Sequence, residues 1–237
     1  MRHTSGTGWN HISGSQGRDN FSEKLSLEDR IEFESIRSFS DYPAEATLFV
    51  EQQVLDNVLF LMTGQVKLSL NSRAGKRIIL GVACPGETLG LASAFSKSTY
   101  DVTAETVAPC TIASIATGDF LGFLIRHPSV YINVVRELCL EYARACGQVR
   151  RLGLSVTASA KLVRFLLEQC AVTPPTQRGS RLFCALTHTE IGECLGISRE
   201  TVTRLLSDFR SRELLESRGS TWIISDRRAL EAYAGIE

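Results

Sequence analysis

The 237-residue chain is 43% hydrophobic, which is enough apolar material for one large or two modest cores, and its 26 Lys and Arg balance 26 Asp and Glu. Residues 151–237 carry 12 Lys and Arg against 10 Asp and Glu, and residues 1–150 carry 14 against 16, so bulk charge favours no polyanionic partner and any DNA contact must rest on local arrangement. No apolar run reaches membrane-spanning length, no signal-peptide pattern opens the chain, and the seven cysteines (Cys84, Cys110, Cys139, Cys146, Cys170, Cys184 and Cys194) show no CxxC spacing; these features predict a cytoplasmic protein without membrane partner, disulfide framework or zinc module.

The polar, glycine-rich start, MRHTSGTGWNHISGSQGRDN, predicts a flexible tail. Ser26 to Phe39 then has the pattern of an amphipathic helix with Leu27, Ile31, Phe33 and Ile36 as its apolar residues. From Thr47 to Ile115 the chain is a succession of short Val-, Leu-, Ile- and Thr-rich segments broken at Gly64, Gly75, Gly81, Gly86 and Pro109, the pattern of a small antiparallel barrel or sandwich. Alternation is clearest over Gln65–Leu70, and Asn71–Gly75 connects it as a hairpin to Lys76–Leu80.

Pro128 to Gly153 predicts a long helix, with proline suited to its first turn. Tyr131, Val135, Leu138, Tyr142, Ala145, Val149 and Leu152 recur at alternating spacings of four and three, the signature of a coiled-coil seam and hence of a homodimer; the alternative is that this stripe packs on the β domain of its own chain. Cys139 and Cys146 lie beside the seam, where packing as small hydrophobes competes with a redox or metal role. Ala158–Gln169 is a further amphipathic helix with Leu162, Phe165 and Leu166 inward, and Thr173–Ser180 reads as a surface loop.

The stretch from Leu186 to Arg218 organises the C-terminal part. Thr187 and Glu190 have capping-box spacing, Gly196 supplies a turn after Leu195, and Ser198 caps a second helix. Ile191, Leu195, Ile197, Val202, Leu205, Leu206 and Phe209 share one face, leaving Arg199, Glu200, Thr203, Arg204 and Ser207 on the other. Arginine can fork onto guanine and glutamate can accept from the cytosine amino group, which suits a recognition helix in a major groove. Leu214–Glu216, a turn at Arg218–Ser220 and Thr221–Ile224 make a hairpin wing, where Arg218 can touch phosphate and Trp222 is a core anchor before it is a stacking platform.

The run EIGECLGISRETVTRLL resembles the helix-turn-helix of the CRP/FNR family of bacterial transcription regulators, and Ser198–Val202 with Arg204 is similar to its cyclic-AMP receptor branch. Arg199 departs from the FNR branch, which has a small apolar residue there. The resemblance, which runs over nearly the whole chain after about residue 25, implies an α+β fold with an N-terminal cyclic-nucleotide-binding-like β-roll, a long dimerisation helix and a C-terminal winged helix-turn-helix. The corresponding boundaries are a tail over 1–22, a sensor domain over 23–127, the helix over 128–154 and a DNA-binding domain over 155–237. It also implies double-stranded DNA with a palindromic TGTGA-like operator, a second copy of the chain and RNA polymerase as partners, with Ser198, Arg199, Glu200, Thr203, Arg204, Ser207 and Arg218 at the DNA.

The family's phosphate-binding cassette corresponds to Pro85–Leu91, whose backbone N–H groups and glutamate would hold phosphate and ribose, with Gly86 and Glu87 retained. The arginine and serine that complete the pocket align with Ser98 and Thr99, and the two residues that contact adenine align with Cys146 and Gly147. A cyclic nucleotide is thus a possible effector for a site that has lost its key cation, unless Lys97 or Arg126 substitutes. No cysteine precedes Cys84, which argues against the family's N-terminal iron-sulfur cluster. The competing class, an enzyme or a nucleotide-binding module without DNA recognition, has little support, since His3, His11, His127 and His188 belong to no nucleophile or metal pattern.

Overall fold

The computed structural model describes residues 21–96, 99–153, 157–170, 180–219 and 221–235; of Glu23, residues 168–170, 180–183 and Arg218, it describes the backbone alone. Residues 1–20 of the predicted tail, the Thr173–Gly179 stretch of the predicted loop, Lys97, Ser98 and the Arg218 side chain therefore lie outside the described residues, whereas Phe21, inside the expected 1–22 tail, is fully buried. The chain divides into two compact units, one ending at Val149 and the other beginning at Arg150.

In the first unit, helix α1 (Leu27–Ser35) is followed by eight strands: β1 (Ser38–Tyr42), β2 (Thr47–Phe49), β3 (Asn57–Thr63), β4 (Val66–Asn71), β5 (Arg77–Ala83), β6 (Thr88–Leu89), β7 (Thr103–Thr106) and β8 (Cys110–Ala116). They form two antiparallel four-stranded sheets, β1-β8-β3-β6 and β2-β7-β4-β5. A short helix α2 (Leu91–Ser96) follows β6, and α3 (Thr117–Arg126) leads through a 3₁₀ turn at Pro128–Val130 into the long helix α4 (Tyr131–Gly153).

Strand β3 shows why this sequence makes two cores. Its side chains alternate across the sheet. Val58, Phe60 and Met62 join Phe21, Phe33, Phe120, Phe123 and Val134 in a core under the helices, while Leu59 and Leu61 join Phe49, Val66, Ala104 and Ile112 inside the roll. Strand β8 divides in the same way, with Ala113 and Ile115 to the first core and Cys110 and Ile112 to the second. The first core centres on phenylalanines whose ring centroids lie 5.3–6.1 Å apart.

Two expectations need correction in this unit. The first helix ends at Ser35, and Phe39 lies in β1. Within α1 only Phe33 is buried; Leu27 and Ile31 are 74% and 66% exposed, because the core is reached through Phe21 and Leu25 ahead of the helix. The interval between the last strand and Pro128 is helical, since Phe120, Phe123 and Leu124 fall on one face of α3 and are fully buried.

In the second unit, α5 (Ala158–Cys170) buries Leu162, Val163, Phe165 and Leu166. Strand β9 (Ser180–Phe183), α6 (His188–Leu195), α7 (Arg199–Ser211), β10 (Leu215–Arg218), β11 (Thr221–Ile224) and α8 (Arg227–Tyr233) complete it. The wing is a three-stranded sheet of order β10-β11-β9 in place of the expected two-stranded hairpin, so Ser180 is strand and not loop. Trp222, 4% exposed, is a core anchor. Among the described residues no helix is long and apolar enough to cross a membrane.

Candidate DNA interface and effector pocket

The helix pair α6–α7 is set by local chemistry. Thr187 Oγ1 accepts from Glu190 N–H at 3.3 Å, and the Glu190 carboxylate accepts from Thr187 N–H at 2.8 Å, which closes the capping box. Gly196 takes the left-handed conformation at φ 65° that the turn requires, and Ser198 Oγ accepts from Thr201 N–H at 3.1 Å to open α7. A Cβ on Gly192 would lie 2.6 Å from the Ile197 carbonyl oxygen, so glycine alone permits this approach of helix and turn. Val202, Leu206 and Phe209 are fully buried and Leu205 nearly so, fixing which side of α7 remains outside.

That outer side carries Arg199, Glu200, Thr203, Arg204 and Ser207, which with Asp208 and Ser211 line an open groove. Neither Arg199 nor Arg204 makes a hydrogen bond or ion pair among the described residues, so both guanidiniums are available. Glu200 has its pKa lowered by its own backbone N–H and by Ser198, which keeps it an acceptor-only carboxylate. Asp208 is already engaged by Arg212 at 3.1 Å and by the Tyr233 hydroxyl, which removes it from base reading. Sequence reasoning gave His188 no role, yet its Nδ1 lies 2.9 Å from Thr203 Oγ1 and ties the start of α6 to the outer face of α7. Nothing in the linear spacing signalled this contact, because it joins residues 15 apart across the turn.

In the first unit the cassette residues Glu87–Leu91 line a cavity of about 190 Å³ with Phe49, Tyr100, Asp101, Glu141 and Arg144 among its walls. Glu87, 6% exposed, is gripped by a fork from α4: Arg144 Nη1 and Nη2 donate to it at 2.7 and 2.9 Å. Asp101 accepts from Ser93 at 3.2 Å. Burial lifts the Glu141 carboxyl to about 7; Arg144 opposes the rise, and Glu137, Glu87 and Asp101 add to it. The N–H groups of Gly86 and Glu87 donate internally, to Leu61 O at 2.8 Å and Cys84 O at 3.2 Å, so the expected backbone cradle is spent at these two positions.

Of the expected pocket residues, Glu87 lines the cavity, whereas Gly86, Thr99 and Cys146 do not. Cys146 is two positions beyond Arg144, a rotation of about 200° on a helix, and so it faces away. Arg144, Glu141 and Asp101 went unrecognised because their partners are far away in sequence.

Helix α4 presents two stripes. Val134, Glu137 and Gln148 are buried against the same unit, with Glu137 on Lys24 at 3.0 Å and Gln148 Nε2 on Ile79 O at 3.0 Å. Of the seam residues, Tyr131, Val135, Tyr142, Ala145 and Val149 are exposed, while Leu138 and Leu152 are half-buried, Leu138 against the core under the helices. Cys139 is exposed, which corrects its reading as a buried hydrophobe, and Cys146 is half-buried.

Comparison with known proteins agrees with this geometry. Residues 39–127 match the family model of the cyclic nucleotide-binding domain, and residues 160–233 match that of the Crp-like helix-turn-helix domain. The chain is 26% identical over 196 residues to the CRP-like cAMP-activated global transcriptional regulator of Mycobacterium tuberculosis, covering 82% of this chain and 87% of that one. It is 23% identical over 188 residues to the cAMP-activated global transcriptional regulator CRP of Pasteurella multocida, covering 79% and 90%. Among solved structures, FixK2 from Bradyrhizobium japonicum shares the fold at a TM-score of 0.74 and 21% identity, over 83% of this chain and 96% of that one. The regulator CLP of Xanthomonas campestris, described as c-di-GMP responsive, does so at 0.70 and 19%, over 85% and 100%. With a cyclic nucleotide-binding domain, a long helix and a Crp-like helix-turn-helix in this order, the chain belongs to the CRP/FNR family of DNA-binding transcription regulators.

Proposed function

We propose that this regulator acts as a homodimer that reads a palindromic TGTGA-like operator through α7, and that micromolar cyclic AMP is not its effector. In this reading residues 23–127 form the sensor, 128–154 the dimerisation helix and 155–237 the DNA-binding domain, with RNA polymerase as the further partner expected of such a regulator. The observation that carries it is the outer face of α7, where two unengaged arginines flank an ionised glutamate on a helix whose opposite side is buried. Arg199 and Arg204 fork onto guanines and Glu200 accepts from a cytosine amino group. Thr203 and Ser207 offer hydroxyls on the same face, and Ser198 holds the helix start.

The cavity supports the second half of the proposal. Its described lining sets Glu87, Asp101 and a Glu141 that is partly protonated near neutral pH against one guanidinium that is already forked onto Glu87. A phosphodiester would have to break that fork and sit among like charges. The volume also falls below the roughly 300–1,000 Å³ of ordinary ligand pockets. These features support an effector other than micromolar cyclic AMP.

Replacing Arg199 tests the recognition assignment. A lost fork costs about 1–3 kcal/mol of discrimination, so Arg199→Ala is expected to weaken operator binding roughly five- to a hundred-fold and relax preference at one base pair. Equal weakening on operator and random duplex would make Arg199 a phosphate contact and overturn the assignment.

A further inference from the structure

His188 opens α6, Thr203 lies in the middle of the α7 outer face, and the two are joined by one hydrogen bond of 2.9 Å. Thr203 stands one turn beyond Arg199 and next to Arg204, so its hydroxyl shares the groove with the reading arginines. Left alone, a threonine hydroxyl donates or accepts as its partner demands and reads no base in particular. Here His188 fixes the rotor. We propose that His188 is a positioning residue for base specificity, which presents the Thr203 hydroxyl to DNA as an acceptor so that Thr203 selects a base bearing an amino group, cytosine or adenine.

The direction follows from the proton inventory. Burial, Arg210 and Arg199 all lower the His188 pKa, so the ring is neutral and only one nitrogen carries hydrogen. Nδ1 is occupied by Thr203, and Nε2 has no partner among the described residues. With α7 in the major groove, the preceding helix crosses the DNA backbone, where phosphate oxygens accept and do not donate. A proton on Nε2 satisfies that side, and the tautomer is set by this outer bond. Nδ1 must then accept, the Thr203 O–H must donate to it, and the hydroxyl is left with lone pairs toward the groove. Those pair with N4 of cytosine or N6 of adenine and repel guanine O6 and N7 and thymine O4.

This inference rests on α7 being the reading helix, and the test separates the two. Bound duplexes are selected from a random pool with wild type, Thr203→Val, His188→Ala, His188→Asn and Arg199→Ala. Asparagine keeps an acceptor near the position of Nδ1, while valine and alanine remove one partner or the other. Wild type is expected to show a base preference at one pair of each half-site that Thr203→Val flattens, and to lose it when the amino group of that pair is removed, with 2-pyrimidinone in place of cytosine or purine in place of adenine. Thr203→Val and His188→Ala should flatten that preference about two- to tenfold while the guanine positions persist, and His188→Asn should retain it. Uniform loss of affinity with intact preferences in His188→Ala, or undiminished wild-type binding to an operator whose pair at the position that Thr203→Val flattens lacks its amino group, overturns the proposal. If Arg199→Ala also leaves the selected motif unchanged, it is α7 as the reading helix that fails, and this inference falls with it.

Discussion

Glu141 shares its cavity with Glu87 and Asp101, and burial raises its carboxyl to about 7 from an ordinary value of 4.5. A raised carboxyl pKa means that the folded state holds its proton longer than the unfolded one. Stability is therefore unaffected below about pH 4.5, falls as pH rises from there to about 7, and is flat above. The displacement corresponds to a penalty on the order of 2–3 kcal/mol once the group is ionised, after a discount for its partial exposure. Glu141→Gln is expected to raise the melting temperature of the first unit at pH 8, change it little at pH 4.5 and remove most of the loss between, as thermal melts at the two pH values would register. An unchanged melt at pH 8 would mean that Glu141 is well solvated. At this scale the sequence was legible where partners are close along the chain: Thr187 with Glu190 and Ser198 with Thr201 are caps three residues apart. It was silent where they are remote, as with Arg144 on Glu87 at a separation of 57.

Among the elements, α4 bears most directly on assembly. Its inward stripe is largely polar, through Glu137, Glu141, Arg144 and Gln148, whereas Val135, Tyr142 and Val149 are 50%, 72% and 69% exposed. An amphipathic helix that turns its apolar side outward is short of a partner, and the spacing of four and three along that side suits a second copy of itself. Val135→Glu with Tyr142→Glu would place unpaired charge in such an interface, at a cost of several kcal/mol, and sedimentation should then report monomer. Both side chains are exposed within the chain, so the fold should survive; a dimer that persists would put the interface elsewhere. Leu138 is a poorer choice, because it also packs on its own core. The long helix was readable from periodicity because its pattern repeats over several turns. The short elements were read less well: α1 was expected as a helix but ends at Ser35 and is anchored by one residue, Phe33, and β9 is defined by its pairing with β11. The sequence patterns of α3 and β9 are too brief to outweigh a neighbouring glycine or proline.

For the molecule as a whole, three periods mark the sequence, two in the roll, 3.5 in α4 and 3.6 in the helix-turn-helix, and the family resemblance turned them into the order of cyclic nucleotide-binding domain, long helix and winged helix-turn-helix. That order was legible in the sequence. What the cavity binds was not, since charge balance inside a pocket depends on which side chains the fold brings together. The central claim is that two copies of α7 read a palindrome without help from cyclic AMP. Its most direct test is selection of bound sequences from a random duplex pool by the purified protein, with and without micromolar cyclic AMP. The account predicts the same inverted repeat of TGTGA-like half-sites in both arms. Enrichment of no motif, or of one only when cyclic AMP is present, would contradict it.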